Sequence, residues 1–174
     1  MGLFKGVANA LRLRNKSGAK QGLNLKSTLN SPRLDLSDLM TAYDLVSHTE
    51  FQECIKFVDD HPSVVYREDQ FDNTLLFYAL SCKDDASLDL VKIILEHGGK
   101  TKVRNAERST PLHLAIKNNN VECVRLMLDQ GAPLNARNVS GRTPLHLACE
   151  CVNARIVAML IGESAKINAT DVKG

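Results

Sequence analysis

Thr110-Pro111-Leu112-His113-Leu114-Ala115 returns 33 residues later as Thr143-Pro144-Leu145-His146-Leu147-Ala148. A six-residue string repeated at that period marks a stack of like structural units rather than one closed domain. Each copy reads as the start of a helix. A threonine at the N-cap offers its hydroxyl to a free backbone N–H, and a proline at the first helical position needs no donor of its own. Leu112, Leu114 and their equivalents turn inward, while Ala115 and Ala148 are small enough for neighbouring helices to approach closely.

The register extends outward from the hexapeptide. Asn105 aligns with Asn138, Glu122 with Arg155, Val124 with Val157, Leu128 with Ile161, and Asn135-Ala136 with Asn168-Ala169. Asp171 and Gly174 stand 33 after Asn138 and Gly141, so a further unit is expected to begin there, in a fragment of a longer protein or as an incomplete last unit. Val121 to Leu128 has apolar residues at helical spacing, and Gly131 suits the left-handed position after it. The next unit has Ser164 there and Gly162 two residues earlier, which predicts a frayed or shifted helix end. Arg108 takes the place of the turn glycine Gly141.

Working backward, Thr74-Leu75-Leu76-Phe77-Tyr78-Ala79 lies 36 residues before the Thr110 string, yet Gly98 lies 33 before Gly131. Three extra residues therefore fall between Ala79 and Gly98, and the polar stretch Lys83 to Ser87 is expected to hold them as a longer turn. Leu90 to Leu95 reads as the second helix of that unit. Ser37-Asp38-Leu39-Met40-Thr41-Ala42 starts a divergent first unit, with Ser37 as N-cap and Asp38 complementing the helix dipole. Phe51 to Val58 is its partner helix, ended by His61-Pro62.

These residues resemble the ankyrin-repeat family, strongly from about Thr74 and traceably from Ser37. The resemblance implies an all-α solenoid of about four stacked helix pairs with projecting hairpin loops. The domain then runs over 37–174, in units 37–68, 69–104, 105–137, 138–170 and a start at 171–174. The first unit serves as the cap that shields one end of the stack. In the family, a histidine at the place of His113 and His146 hydrogen-bonds backbone between repeats.

Composition agrees. Hydrophobic residues make up 44% of the 174, aromatics only 5%, and tryptophan is absent, which suits thin helical layers. No apolar run reaches the roughly 18 residues that span a bilayer. Cys54, Cys82, Cys123, Cys149 and Cys151 are odd in number and helical in placement, which argues against a disulfide framework. Reduced thiols point to an intracellular, cytoplasmic setting, where the sequons at Asn15, Asn138 and Asn168 go unused. His146, Cys149 and Cys151 would suit zinc only if their directions converged and a fourth ligand stood nearby; a structural role for both histidines is the simpler reading. No phosphate-cradling loop, nucleophile elbow or metal-binding helix motif is present. The chain therefore reads as non-catalytic, with no cofactor and no metal. The alternative is a regulatory or targeting ankyrin segment of a larger enzyme or membrane-trafficking protein.

The first 36 residues form a separate basic tail. Seven basic residues and one acid give it a net +6, against −4 for the remainder. Asn15 to Pro32, rich in Ser, Gly, Asn and Lys, is expected to be flexible alone. Leu3, Phe4, Val7, Ala8 and Leu11 make one apolar helical face beside Lys5 and Arg12, so residues 1–20 suit contact with an anionic membrane. Gly2 is positioned for myristoylation, although Gly6 stands where Ser or Thr is preferred. Basic, acid-poor composition also fits mitochondrial import. The tail lacks the interleaved aromatics of nucleic-acid binders, so no nucleic acid is expected.

The resemblance also implies where a protein partner binds: the hairpin fingers and the exposed face of the first helices. By position these are Arg104, Glu107, Ser109, Lys117 and Asn118 in the third unit, and Arg137, Ser140, Arg142 and Glu150 in the fourth. Lys100, Lys102, Arg104 and Arg108 surround one finger with Glu107 the only acid, while the earliest finger, with Arg67, Glu68, Asp69 and Asp72, has the opposite sign. A row of like charge favours a complementary chain, so the expected partner is an acidic or phosphorylated segment.

Overall fold

The proline at the second position of each hexapeptide is where a helix begins. In the computed structural model, which describes residues 36–82 and 86–172, Pro111–Lys117 and Pro144–Glu150 are helices of identical length. Their N-caps Thr110 and Thr143 share extended backbone angles, φ/ψ of −93/165 and −90/166, and Thr74 repeats them at −92/170. The described residues contain eight α-helices and one 3-10 helix, and no strand. We number them α1 (Leu36–Ser47), α2 (Phe51–Asp60), α3 (Leu75–Ser81), α4 (Ala86–Glu96), α5 (Pro111–Lys117), α6 (Val121–Asp129), α7 (Pro144–Glu150) and α8 (Ala154–Gly162), with the 3-10 turn Pro62–Tyr66 after α2.

Consecutive helices pair, and the pairs stack. The first helices α1, α3, α5 and α7 form one row and the second helices α2, α4, α6 and α8 the other. One continuous core runs between the rows. Leu75, Leu76, Leu80, Leu90, Ile94, Leu112, Ile116, Met127, Ile156 and Leu160 are fully buried in it, each contributing about 1.5–3 kcal/mol by leaving water. Ala79, Ala115 and Ala148 recur at one position in the first helices and are wholly enclosed. At the divergent end, Tyr43 of α1 stacks on Tyr78 of α3 with ring centroids 3.9 Å apart. The Tyr43 hydroxyl donates to the Asn73 carbonyl at 2.9 Å, so the first pair is tied to the second by polar as well as apolar contacts.

Three local expectations change. The α8 end is neither frayed nor shifted: Ser164 takes φ 66 where Gly131 takes 67. Its N–H reaches Ile161 O at 2.9 Å and that of Ala165 reaches Leu160 O at 3.0 Å, matching Gly131 to Leu128 and Ala132 to Met127 at 2.9 Å each. Two closing hydrogen bonds offset the cost of a left-handed serine. The insertion in the second unit is not all turn, since α4 has 11 residues where α6 has 9. Ala86 and Ser87 are helical, with Ser87 fully buried, while Lys83–Asp85 lie outside the described residues. Finally, α1 takes in Leu36, so Ser37 lies within the first turn rather than at the N-cap.

The starts of the second helices carry no signal as plain as the Thr-Pro pair. Asn120 and Asn153 cap α6 and α8, their side chains accepting from Cys123 N at 3.0 Å and from Arg155 N and Ile156 N at 3.0 and 3.2 Å. The residues before them, Asn119 and Val152, turn the chain with φ of 58 and 53.

Candidate interaction surface

The histidine of the hexapeptide joins units before anything binds them. His113 Nε2 lies 3.2 Å from the Arg142 carbonyl of the next unit. A carbonyl can only accept, so Nε2 carries the proton and Nδ1 is the acceptor. Nδ1 then receives the Thr110 backbone N–H at 3.2 Å and the hydroxyl at 2.8 Å, closing a capping box with histidine in the place usually held by Glu or Gln. His146 repeats the contacts to Thr143 at 3.2 and 2.8 Å. Burial lowers the His113 pKa below the ordinary histidine value, partly opposed by its bond to Arg142. A buried, neutral, doubly bonded ring is a structural strut.

Each finger is shaped by an Asx residue at its base. Asn105 Oδ1 accepts from Glu107 N and Ser109 N at 3.1 and 3.0 Å. Asn138 does the same for Ser140 and Arg142 at 3.0 and 3.1 Å, and Asp69 for Phe71 and Asn73 at 2.8 Å each. The tip residue then turns left-handed: Asp72 at φ 58, Arg108 at 55 and Gly141 at 71. Arg108 thus adopts the geometry that Gly141 gives its unit, at a cost of roughly 1–2 kcal/mol. Neighbouring fingers are joined by one backbone bond each: Ala106 N to Phe71 O at 2.9 Å, Val139 N to Glu107 O at 3.0 Å and Val172 N to Ser140 O at 3.3 Å.

Two of the proposed anchors work inside this array. Arg104 Nη1 donates to the Arg137 carbonyl at 3.1 Å. Arg137 Nε donates to Gly141 O at 3.0 Å, and its Nη2 reaches the Thr170 carbonyl in the next finger. The pair forms a ladder at the repeat period, each guanidinium holding the following loop. The signal for it lay in the sequence as two arginines 33 apart in one column, but charge alone did not say that carbonyls would be the partners.

Other candidates are likewise engaged. Arg142 is half-buried and pairs with Glu150 at 2.6 Å and with Asp171 at 3.7 Å. Asn118 Nδ2 donates to Leu80 O of the preceding unit at 2.7 Å. Ser109 is half-buried, whereas Glu107 and Ser140 are exposed at their finger tips. Lys117 is exposed on the first-helix row and makes no ion pair among the described residues. Lys102 and Arg108 are exposed on the second finger. Gly2, residues 1–20 and the rest of the tail to residue 35 lie outside the described residues.

Among the described residues no group of three His, Cys, Asp or Glu side chains could hold a metal ion. The His146 ring faces Thr143, Cys151 Sγ points to the Ile116 carbonyl at 3.5 Å, and Cys149 is exposed. Burial raises the Cys54 thiol to about 12 and the Cys123 thiol to about 11, which makes both poor nucleophiles at neutral pH. No described helix is long and apolar enough to cross a membrane.

A family model for ankyrin repeats in three copies matches residues 80–171, just over half of the chain. A search of the curated proteins gives no match. Stacked helix pairs, fingers opened by an Asx turn and a histidine strut at the repeat period are the physical content of that match, and the chain belongs to the ankyrin-repeat family.

Proposed function

We propose that this protein is a non-catalytic scaffold or adaptor module that captures an acidic or phosphorylated protein segment along its fingers and first-helix face. Ankyrin repeats generally mediate protein–protein interaction and are typically non-catalytic. The observation that carries the finer reading is the set of exposed cations left after the internal contacts are counted. Lys102, Arg108 and Lys117 are exposed on the second finger and the first-helix row, whereas Arg104, Arg137 and Arg142 also bond to carbonyls or carboxylates. A guanidinium at a finger tip can grip a carboxylate or phosphate with two parallel bonds.

Reversing Arg104 and Arg137 is an ambiguous test, because it also unties the fingers. Lys102→Glu with Arg108→Asn is cleaner, since asparagine tolerates the left-handed tip. An affinity pull-down with parent and double variant, at equal helicity, is expected to show weaker capture by the variant. The same partners at the same yield would refute the finger reading, and the first-helix face around Lys117 would then be the next surface to alter. We also propose, from charge and apolar periodicity alone, that residues 1–20 add contact with an anionic membrane, which makes a cytoplasmic protein peripheral to it.

A further inference from the structure

The finger edge changes sign between its first two fingers. In the first, Arg67 stands against Glu68, Asp69 and Asp72; in the second, Lys100, Lys102, Arg104 and Arg108 stand against Glu107. Internal contacts already engage some of these charges. Asp69 is committed to backbone N–H groups and to the Tyr78 hydroxyl, 2.6 Å from Oδ2. That leaves Glu68 and Asp72, both exposed, as the acids of the first finger. In the second, Arg104 is bound to Arg137 O and Lys100 lies over the Tyr66 ring at 6.0 Å. Both remain exposed, but Lys102 and Arg108 are the exposed cations of this finger without such a contact, with Glu107 beside them.

The acidic and basic positions correspond. Asp72 and Arg108 occupy the same left-handed tip, at φ 58 and 55, and Glu68 stands in the column that continues as Arg104 and Arg137. The two fingers cannot slide independently, because Ala106 N is bonded to Phe71 O at 2.9 Å. The reversal of sign is therefore fixed in space.

We propose that the finger edge reads a dipolar polypeptide segment, with basic side chains against Glu68 and Asp72 and acidic side chains against Lys102 and Arg108. This rests on the reading that the fingers take an acidic segment, and it adds the order of charge. Packed helical layers lie about 8–10 Å apart, or about three residues of extended chain. The Debye length at physiological salt is about 8 Å, so patches one layer apart act separately instead of cancelling. A purely acidic segment that overran the second finger would meet Glu68 and Asp72 as like charges, and repulsion of that kind sets register.

The test uses three fluorescein-labelled peptides and fluorescence anisotropy at low and physiological ionic strength. Two carry a lysine pair and a glutamate pair separated by Gly-Ser-Gly, in the two possible orders; the third carries the glutamate pair alone. The better dipolar order is expected to bind the full chain about three- to tenfold more tightly than the acidic peptide. Glu68→Lys with Asp72→Asn is expected to erase that advantage while leaving acidic binding equal or stronger. Lys102→Glu with Arg108→Asn is expected to weaken both, with circular dichroism confirming unchanged helicity throughout. Equal binding of dipolar and acidic peptides to the parent, or an advantage that survives the Glu68 and Asp72 changes, overturns the charge-order proposal alone. Failure of every peptide to bind the parent overturns the acidic-segment reading with it.

Discussion

Replacing His113 with phenylalanine isolates the strut between the third and fourth units. The volume is nearly kept, and Phe77 already fills the corresponding place in the second unit at 2% exposure. What is lost is polar: the donor to Arg142 O at 3.2 Å and the acceptor for Thr110 N–H at 3.2 Å and its hydroxyl at 2.8 Å. Each polar group left buried without a partner costs about 1–3 kcal/mol, so a total of about 2–4 kcal/mol is expected once part of the region relaxes. The loss also depends on pH. Burial holds the folded ring below its ordinary pKa, whereas an unfolded histidine protonates near 6.5. The unfolded state therefore binds more protons below that value. The parent's stability from the neutral ring is complete above it and declines as pH falls toward the folded value, at up to about 1.4 kcal/mol per pH unit. His113→Phe lacks that slope. Urea titrations followed by circular dichroism from about pH 7.5 to about pH 5.5 are expected to show the gap between parent and variant narrowing toward acid. A gap that stays constant, or a variant as stable as the parent at neutral pH, would mean that the ring is not a neutral strut.

Ala115, fully enclosed between first helices, is expected to tolerate no enlargement: Ala115→Leu costs about 1–3 kcal/mol by overpacking, and equal unfolding midpoints would show the buried face misplaced. Ser164→Gly relieves a left-handed serine at φ 66 and is expected to stabilise by up to about 1 kcal/mol; a loss of stability in thermal melts would mean that the serine hydroxyl contributes there. Removal of residues 1–36 is expected to leave the repeat melting transition in place and to reduce sedimentation with anionic vesicles, and equal binding by both forms would remove the membrane proposal.

Sequence alone determined the repeat, its period and the helix starts, because those depend on local chemistry. A threonine before a proline before an apolar run makes an N-cap wherever it stands, and two copies at one spacing must stack to bury their leucines. The partner of the histidine was legible only through family resemblance, and the structure supplied the atom that accepts its proton. Ser164 shows the limit of reading residue types one at a time: serine looked like a poor helix terminator, yet the hydrogen bonds closing α8 hold it in the shape that Gly131 takes more easily. The arginines show the limit of reading charge. Arg104 and Arg137 were counted among surface cations, and only the stacking of one finger on the next brought carbonyl oxygens within reach of their guanidinium groups. Stacking likewise turned Asn118 toward Leu80 and set Arg142 between Glu150 and Asp171. That Arg104, Arg137 and Arg142 reach oxygen atoms of a neighbouring loop while Lys102, Arg108 and Lys117 do not was a tertiary decision, because a long polar side chain bonds to whatever acceptor the neighbouring repeat places beside it.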